Sequence, residues 1–233
     1  MDKNCIAIIT ARGGSKRIPR KNVKDFLGQP IIKYSIDAAL QSSCFREVMV
    51  STDDKEIAEI SAACGATVPF LRSAATSGDF ATTVDVLDEV IAEYGKQGRT
   101  FTYCCCIYPT AALISSKRLL EGYALLVNSN ADSVIPVVRF SYPIQRAFKI
   151  TDGRLSMIWP ENLKKRSQDL MPAYQDCGQF YWMKTESFLK NRAILTDNTV
   201  ALEMPESEIQ DIDNEEDWKL AEMKFQLLSD GRK

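Results

Sequence analysis

A chain of 233 residues with 45% hydrophobic and 26% charged residues suits one large α/β domain and argues against disorder. Its formal net charge of −2 gives no global attraction for nucleic acid, so any anion must be held by a local cluster of bases. Histidine is absent, which excludes a Ser-His-Asp triad, a Cys-His pair and a histidine-rich zinc site.

Met1 to Thr10 contains an apolar run too short for a signal-peptide core, and no stretch is long and apolar enough to span a membrane. Cys5 to Ile9 is apolar without alternation, as in a strand buried on both faces of a parallel sheet. A polar loop runs to Asn22. Ile32, Ile36, Ala39 and Leu40 then fall at helical spacing, and Val48 to Ser51 forms the next predicted strand. Asp53 is placed to cap a helix carrying Ile57, Ile60 and Cys64. Ala66 to Leu71 is expected as a short strand, followed by a helix marked by Val84, Leu87, Ile91 and Tyr94. Tyr103 to Tyr108 encloses three consecutive cysteines, read as small core residues of a strand. The seven cysteines are odd in number and include no C-x-x-C pair, so free thiols in a reducing cytoplasm are expected. A helix with Leu119, Tyr123 and Leu126 and a strand from Asp132 to Val138 complete a regular alternation.

That alternation predicts a doubly wound, mostly parallel sheet of the Rossmann-like kind, with ligands at the carboxyl ends of its strands. The pattern breaks between Arg139 and Gln179, where Pro143, Pro160, Pro172 and the run Lys164-Lys165-Arg166 suggest an arm without a core of its own. The domain is thus expected to cover 1–233, with 139–176 as an excursion. Gln179 to Lys184 returns to strand character, Ile209 to Ile212 is expected as the last strand, and Trp218, Ala221, Phe225 and Leu228 mark a final helix.

Three motifs can carry chemistry. The loop from Ala11 to Asn22 follows the first strand directly. Arg12, Lys16, Arg17, Arg20, Lys21 and Lys24 place six bases within thirteen residues, around the pair Gly13-Gly14. Glycines let a backbone approach phosphate and aim amides at it, while the bases supply charge-assisted bonds. The spacing matches neither a P-loop nor a dinucleotide fingerprint. A solvated basic turn is the plainer alternative. The second motif is Gln210-Asp211-Ile212-Asp213. On a strand end Asp211 and Asp213 project to one side, suitable for Mg²⁺ shared with phosphate oxygens. Asp213 reads equally as the N-cap of the final helix. The third comprises Arg166 to Leu170 and Asp176 to Trp182, where arginine can grip a carboxylate and amides can read hydroxyls. Arg72 after a strand, and Thr82/Thr83 at a helix start, are further anion candidates.

These motifs, in this order, resemble the cytidylyltransferases that activate nonulosonic acids, a family that includes the CMP-sialic acid synthetases. The loop Ala11 to Asn22 is similar to that family's CTP signature almost letter for letter, with Thr10 where a proline is usual. The blocks Val50 to Asp54, Cys106 to Ala111, Arg166 to Leu170 and Cys177 to Trp182 look most like the pseudaminic acid branch. Tyr108 and Gln179 fall where sialic acid enzymes carry other residues, at positions of sugar contact.

The resemblance implies a nucleotide-diphospho-sugar transferase-like fold. It implies that Arg12, Gly13, Gly14, Ser15, Lys16, Lys21 and Asn22 hold CTP, with Arg72 and Thr82 completing the nucleotide pocket. Lys16, Lys21 and Asp211 would be catalytic, and Asp211 and Asp213 would bind Mg²⁺. Arg166 would meet the sugar carboxylate, and Gln179 and Tyr108 the rest of a nine-carbon acidic sugar. The family's members are homodimers whose arm crosses to the partner. The implied reaction joins the sugar's C2 hydroxyl to the α-phosphorus of CTP and releases pyrophosphate. A glycosyltransferase and a non-catalytic nucleotide-binding regulatory module are the competing readings. Neither the sugar (pseudaminic, legionaminic, sialic or 3-deoxy-octulosonic acid) nor the proton acceptor is fixed by the sequence.

Overall fold

The computed structural model describes residues 4–230, so Met1 to Lys3 of the amino-terminal stretch considered above lie outside it. The elements are β1 Cys5–Thr10, β2 Asp25–Phe26, β3 Gln29–Pro30, α1 Ile31–Ser42, β4 Glu47–Ser51, α2 Lys55–Ala63, α3 Ala74–Ser77, α4 Thr83–Lys96, β5 Tyr103–Ile107, α5 Ser116–Ser129 and β6 Ser133–Arg139. After these come β7 Phe148–Thr151, β8 Arg154–Met157, β9 Tyr174–Asp176, β10 Phe180–Lys184, α6 Thr185–Asn191, β11 Thr199–Glu203 and α7 Glu215–Asp230.

The main sheet runs β11-β6-β10-β5-β1-β4. β1 pairs in parallel with both β4 and β5, Ile8 lying beside Met49 on one side and Cys106 on the other. β10 enters antiparallel between β5 and β6, and β9 pairs antiparallel with β6. Side chains alternate between the faces because successive strand residues point opposite ways. Cys5, Ala7, Ile9 and Cys105 meet Ile36 of α1 and Leu119 of α5. Ile6, Ile8, Cys104 and Cys106 meet Leu87 and Tyr94 of α4. A doubly wound, mostly parallel sheet is therefore what the alternation produces. Burial pushes the Cys104 thiol up to about 12, so the cysteine run is inert packing, as expected.

Four expectations are corrected. Ala66 to Leu71 makes a single bridge, Thr67 to Met49, because Pro69 has no N–H to continue a ladder. Asp54, not Asp53, caps α2, its side chain accepting from the Ile57 amide. Ile209 to Ile212 is irregular; the last strand is β11, which extends the sheet beside β6. Asn214, not Asp213, caps α7: it accepts from the amides of Glu216 and Asp217, and Asp217 accepts back from the Asn214 amide.

The segment from Arg139 to Asp176 is bounded by sheet pairing, since Arg139 still faces Tyr174. Between these ends lies the β7-β8 hairpin, whose Phe148, Ile150 and Leu155 are exposed.

Glu47 locks the start of β4 to the far end of α4. It accepts from Thr67 at 2.5 Å, Arg99 at 2.6 Å and Tyr94 at 3.1 Å. Burial favours its protonated form, but these three donors outweigh that and hold its pKa below the usual 4.5. A depressed folded-state pKa stabilises above the unfolded value, and the gain is lost as pH falls through the folded one. Glu47→Gln is expected to lose about 1–3 kcal/mol of stability near neutral pH. The difference from the parent protein should shrink on acidification below pH 4.5 in urea melts.

Candidate active site

β1 lies between β4 and β5, so the chain leaves it in one direction and later returns on its other side. Such a switch point opens a crevice at the carboxyl ends of the strands. A cavity of about 510 Å³ occupies it, with Thr10 and Arg12 at the end of β1 and Tyr108 and Thr110 at the end of β5.

Arg12, Lys16, Arg17, Lys21 and Arg72 bring five bases to this cavity. The loop that carries four of them is built tightly. Asn22, buried, donates to the Arg12 carbonyl at 2.9 Å, and the Ser15 amide donates to the Gly13 carbonyl. Ser15 and Asn22 also line the cavity. Arg72 is buried, and its guanidinium donates to both the hydroxyl and the carbonyl of Ser51. Thr82 caps α4 in a capping box with Asp85, which places the helix N-terminus against the cavity. Tyr108 reaches Thr83 through a 3.1 Å hydroxyl contact.

The two glycines have different surroundings. The Gly13 amide already donates to Asp53 at 2.9 Å, and a Cβ there would lie 2.8 Å from the Asp54 carboxylate. Close approach to Asp54 is thus what requires glycine. A Cβ on Gly14 would meet nothing within 4 Å, and Gly14 does not line the cavity. Arg20 and Lys24 also turn away. Arg20 pairs with Asp54 and Glu56, and Lys24 pairs with Glu215.

Asp211 and Asp213 line a neighbouring recess of about 440 Å³, and Arg17 and Lys21 stand between the two spaces. Arg17 pairs with Asp213 at 2.7 Å, and Lys21 donates to the Ile212 carbonyl at 2.6 Å. Asp211 is exposed at the recess mouth, yet partial removal of its carboxyl from water and then the charge of Asp213 raise its pKa. Burial lowers the Lys21 pKa, and both aspartates oppose that shift. Two crowded hard oxygen donors are a setting that a divalent cation relieves. No group of three or more His, Cys, Asp or Glu side chains that could hold a metal occurs among the described residues, so further ligands would come from other groups, such as phosphate oxygens or water.

Two predicted sugar contacts lie elsewhere. Arg166 is exposed on the arm and pairs with Asp169. Gln179 is buried; its amide nitrogen donates to the Glu208 carbonyl, its amide oxygen has no partner among the described residues, and it lines neither space.

Sequence reasoning missed Asp79. It follows Gly78 in a loop and occupies the cavity's own bases, pairing with Arg12 at 2.9 Å and with Lys16. Bonds from Lys16 and then Arg12 hold its carboxyl below the usual carboxylate range. Only the complementary charge across the cavity identifies it, and that needs the fold. A polyphosphate seated in this cavity would have to take the same donors. Asp79→Asn is therefore expected to tighten CTP binding about three- to tenfold in isothermal titration, as one rim charge is removed. Weaker binding would show instead that Asp79 helps to hold the nucleotide.

The sequence matches the family model described as Cytidylyltransferase over residues 6–205. It is 37% identical over 223 residues to the pseudaminic acid cytidylyltransferase of Campylobacter jejuni, covering 95% of this chain and 96% of that protein. It is 30% identical over 229 residues to the CMP-N,N'-diacetyllegionaminic acid synthase of Legionella pneumophila, covering 95% and 96%. A solved CMP:2-keto-3-deoxy-manno-octonic acid synthetase complexed with CTP superposes with a TM-score of 0.67 at 16% identity, covering 97% of this chain and 99% of that one, a likeness of fold. The chain belongs to the cytidylyltransferase family, and it is a nucleotidyltransferase.

Proposed function

We propose that this enzyme transfers the cytidylyl group of CTP to pseudaminic acid, giving CMP-pseudaminic acid and pyrophosphate. The product would serve surface glycan or flagellin glycosylation. One observation carries the reading: a five-base cavity at the sheet's switch point is joined through Arg17 and Lys21 to the Asp211-Asp213 segment. The 37% identity to a pseudaminic acid cytidylyltransferase, and the Tyr108 and Gly178-Gln179 blocks, favour pseudaminic over sialic acid as the sugar.

The sugar's C2 oxygen attacks the α-phosphorus, the bond from that phosphorus to the bridging oxygen breaks, and the hydroxyl proton departs. Arg12 and Lys16, released from Asp79, would hold the outer phosphates. Lys21 would neutralise charge growing on the leaving pyrophosphate from a fixed position, since its ammonium is already bound to Ile212. Asp211 and Asp213 would hold Mg²⁺, which supplies Lewis-acid neutralisation of the phosphates when bound. Tyr108 would act as a neutral hydrogen-bonding group, because burial raises its pKa.

We further take residues 1–233 as one domain that works as a homodimer. Arg166 and the exposed apolar hairpin of the 139–176 arm would reach the partner's sugar site. Arg166 is exposed and lines neither the cavity nor the acidic recess of its own chain, which supports this. Seven free cysteines suit the cytoplasm, and no helix among the described residues is long and apolar enough to cross a membrane.

Pyrophosphate release with CTP and Mg²⁺ across pseudaminic, legionaminic, sialic and 3-deoxy-octulosonic acids tests the substrate. A preference for any other sugar overturns the assignment. Asp211→Ala is expected to lower turnover at least about 100-fold while CTP binding survives within about tenfold, in line with loss of a metal ligand. Near-normal turnover would remove the metal role.

A further inference from the structure

We propose that Asp176 is a positioning residue that holds the Tyr108 side of the nucleotide cavity and the Asp211 side of the acidic recess, acting through Tyr181 toward the first and Gly178 toward the second. The proposal rests on the cytidylyl-transfer reading above. β9 and β10 lie along one edge of β6, with Asp176 opposite Val137 and Trp182 opposite Val134. Between them Cys177-Gly178-Gln179 interrupts the ladder, and Gly178 takes a left-handed φ of 59°.

The Asp176 carboxylate bridges that interruption. Its Oδ1 accepts from the Gly178 amide at 2.8 Å, and its Oδ2 accepts from the Tyr181 hydroxyl at 2.8 Å. The first branch reaches the acidic recess. A Cβ on Gly178 would lie 3.8 Å from the Asp211 carboxyl carbon, so the turn that Asp176 fixes lies close against Asp211. The second branch reaches the nucleotide cavity. Tyr181 is buried and meets the Tyr108 ring edge-on, with centroids 5.6 Å apart. Tyr108 in turn touches Thr83 at the start of α4. Tyr108 and Thr83 line the cavity, and Asp176 and Asp211 line the recess.

One carboxylate therefore sets two positions that the reaction needs in register: the phenol at the cavity wall and the aspartate at the recess. Burial, then the neighbouring Tyr108 and the charge of Asp176, keep the Tyr181 phenol protonated. The chain thus conveys position, not protons. Misplacing reacting groups by about 1 Å can cost about 100-fold in rate.

Steady-state pyrophosphate release with CTP, Mg²⁺ and the sugar that the parent enzyme accepts is the test. Asp176→Ala and Tyr181→Phe are expected to lower kcat about 10- to 100-fold, with the KM for CTP held within about threefold. Asp176→Asn, which keeps an acceptor oxygen, should recover part of that loss. Tyr181→Phe keeps the buried ring and so guards against a folding failure of Asp176→Ala. Turnover within about twofold of the parent in both variants overturns the proposal. So does a loss of kcat matched by an equal loss of CTP affinity, which marks a merely structural role. A parent enzyme silent with every sugar overturns the substrate reading instead. Amide hydrogen exchange, which needs no sugar, then decides the chain: Asp176→Ala should speed exchange at the Gly178 and Tyr108 amides, and unchanged rates there overturn the proposal.

Discussion

Lys21 and Ile212 stand 191 positions apart, and the bond between them closes the molecule around its site. The Lys21 ammonium binds the Ile212 carbonyl, Arg17 binds Asp213, and Lys24 binds Glu215. Three bases of one loop thereby fix the segment that begins the last helix. Exposed pairs of this sort contribute little singly. The Lys21 bond differs, because its ammonium is partly withdrawn from water, so the carbonyl and the nearby Asp213 and Asp211 charges replace part of its hydration. Trp218 of α7 then packs with Ile18 and Phe26 from the same stretch, so apolar contact and charge fasten one joint.

That joint settles how charge is distributed across the site. The bases facing the nucleotide cavity are not a uniform positive field. Arg12 and Lys16 face Asp79, Arg17 faces Asp213, and Arg72 is turned onto the hydroxyl and carbonyl of Ser51. Each base has a partner that holds it in place, so on the proposed reading a phosphate group would exchange partners without recruiting disordered side chains. Preorganisation of this kind limits the ordering cost of binding.

The parallel core was legible because its strands are buried on both faces and its helices carry one apolar stripe each. Patterns that rest on a single residue were less legible. Two adjacent aspartates compete for the cap of α2, and only the backbone shows that Asp54 takes it and Asp53 serves Gly13. Ile209 and Ile212 suggested a strand, but they are anchors set in two different clusters, one beside Val138 and the other beside Trp218. β11 was hidden because it lies at the sheet's edge, half exposed, with little apolar signal. At the site, the basic loop and the twin aspartates were visible in the sequence. The place of Asp79 was not, because a carboxylate that faces two bases across a cavity leaves no mark on local spacing.

The arm's attachment has a further bearing on how such a chain can diversify. It departs from β6 at Arg139 and returns as β9 directly beside its own departure, with Phe140 bonded to Ala173. The intervening residues form a closed loop whose base is clamped by the sheet. The free energy of closing a loop changes slowly with its length. Residues 141–172 can therefore lengthen, shorten or change composition with little consequence for the nucleotide half. Whatever that excursion contacts is free to vary on a schedule of its own.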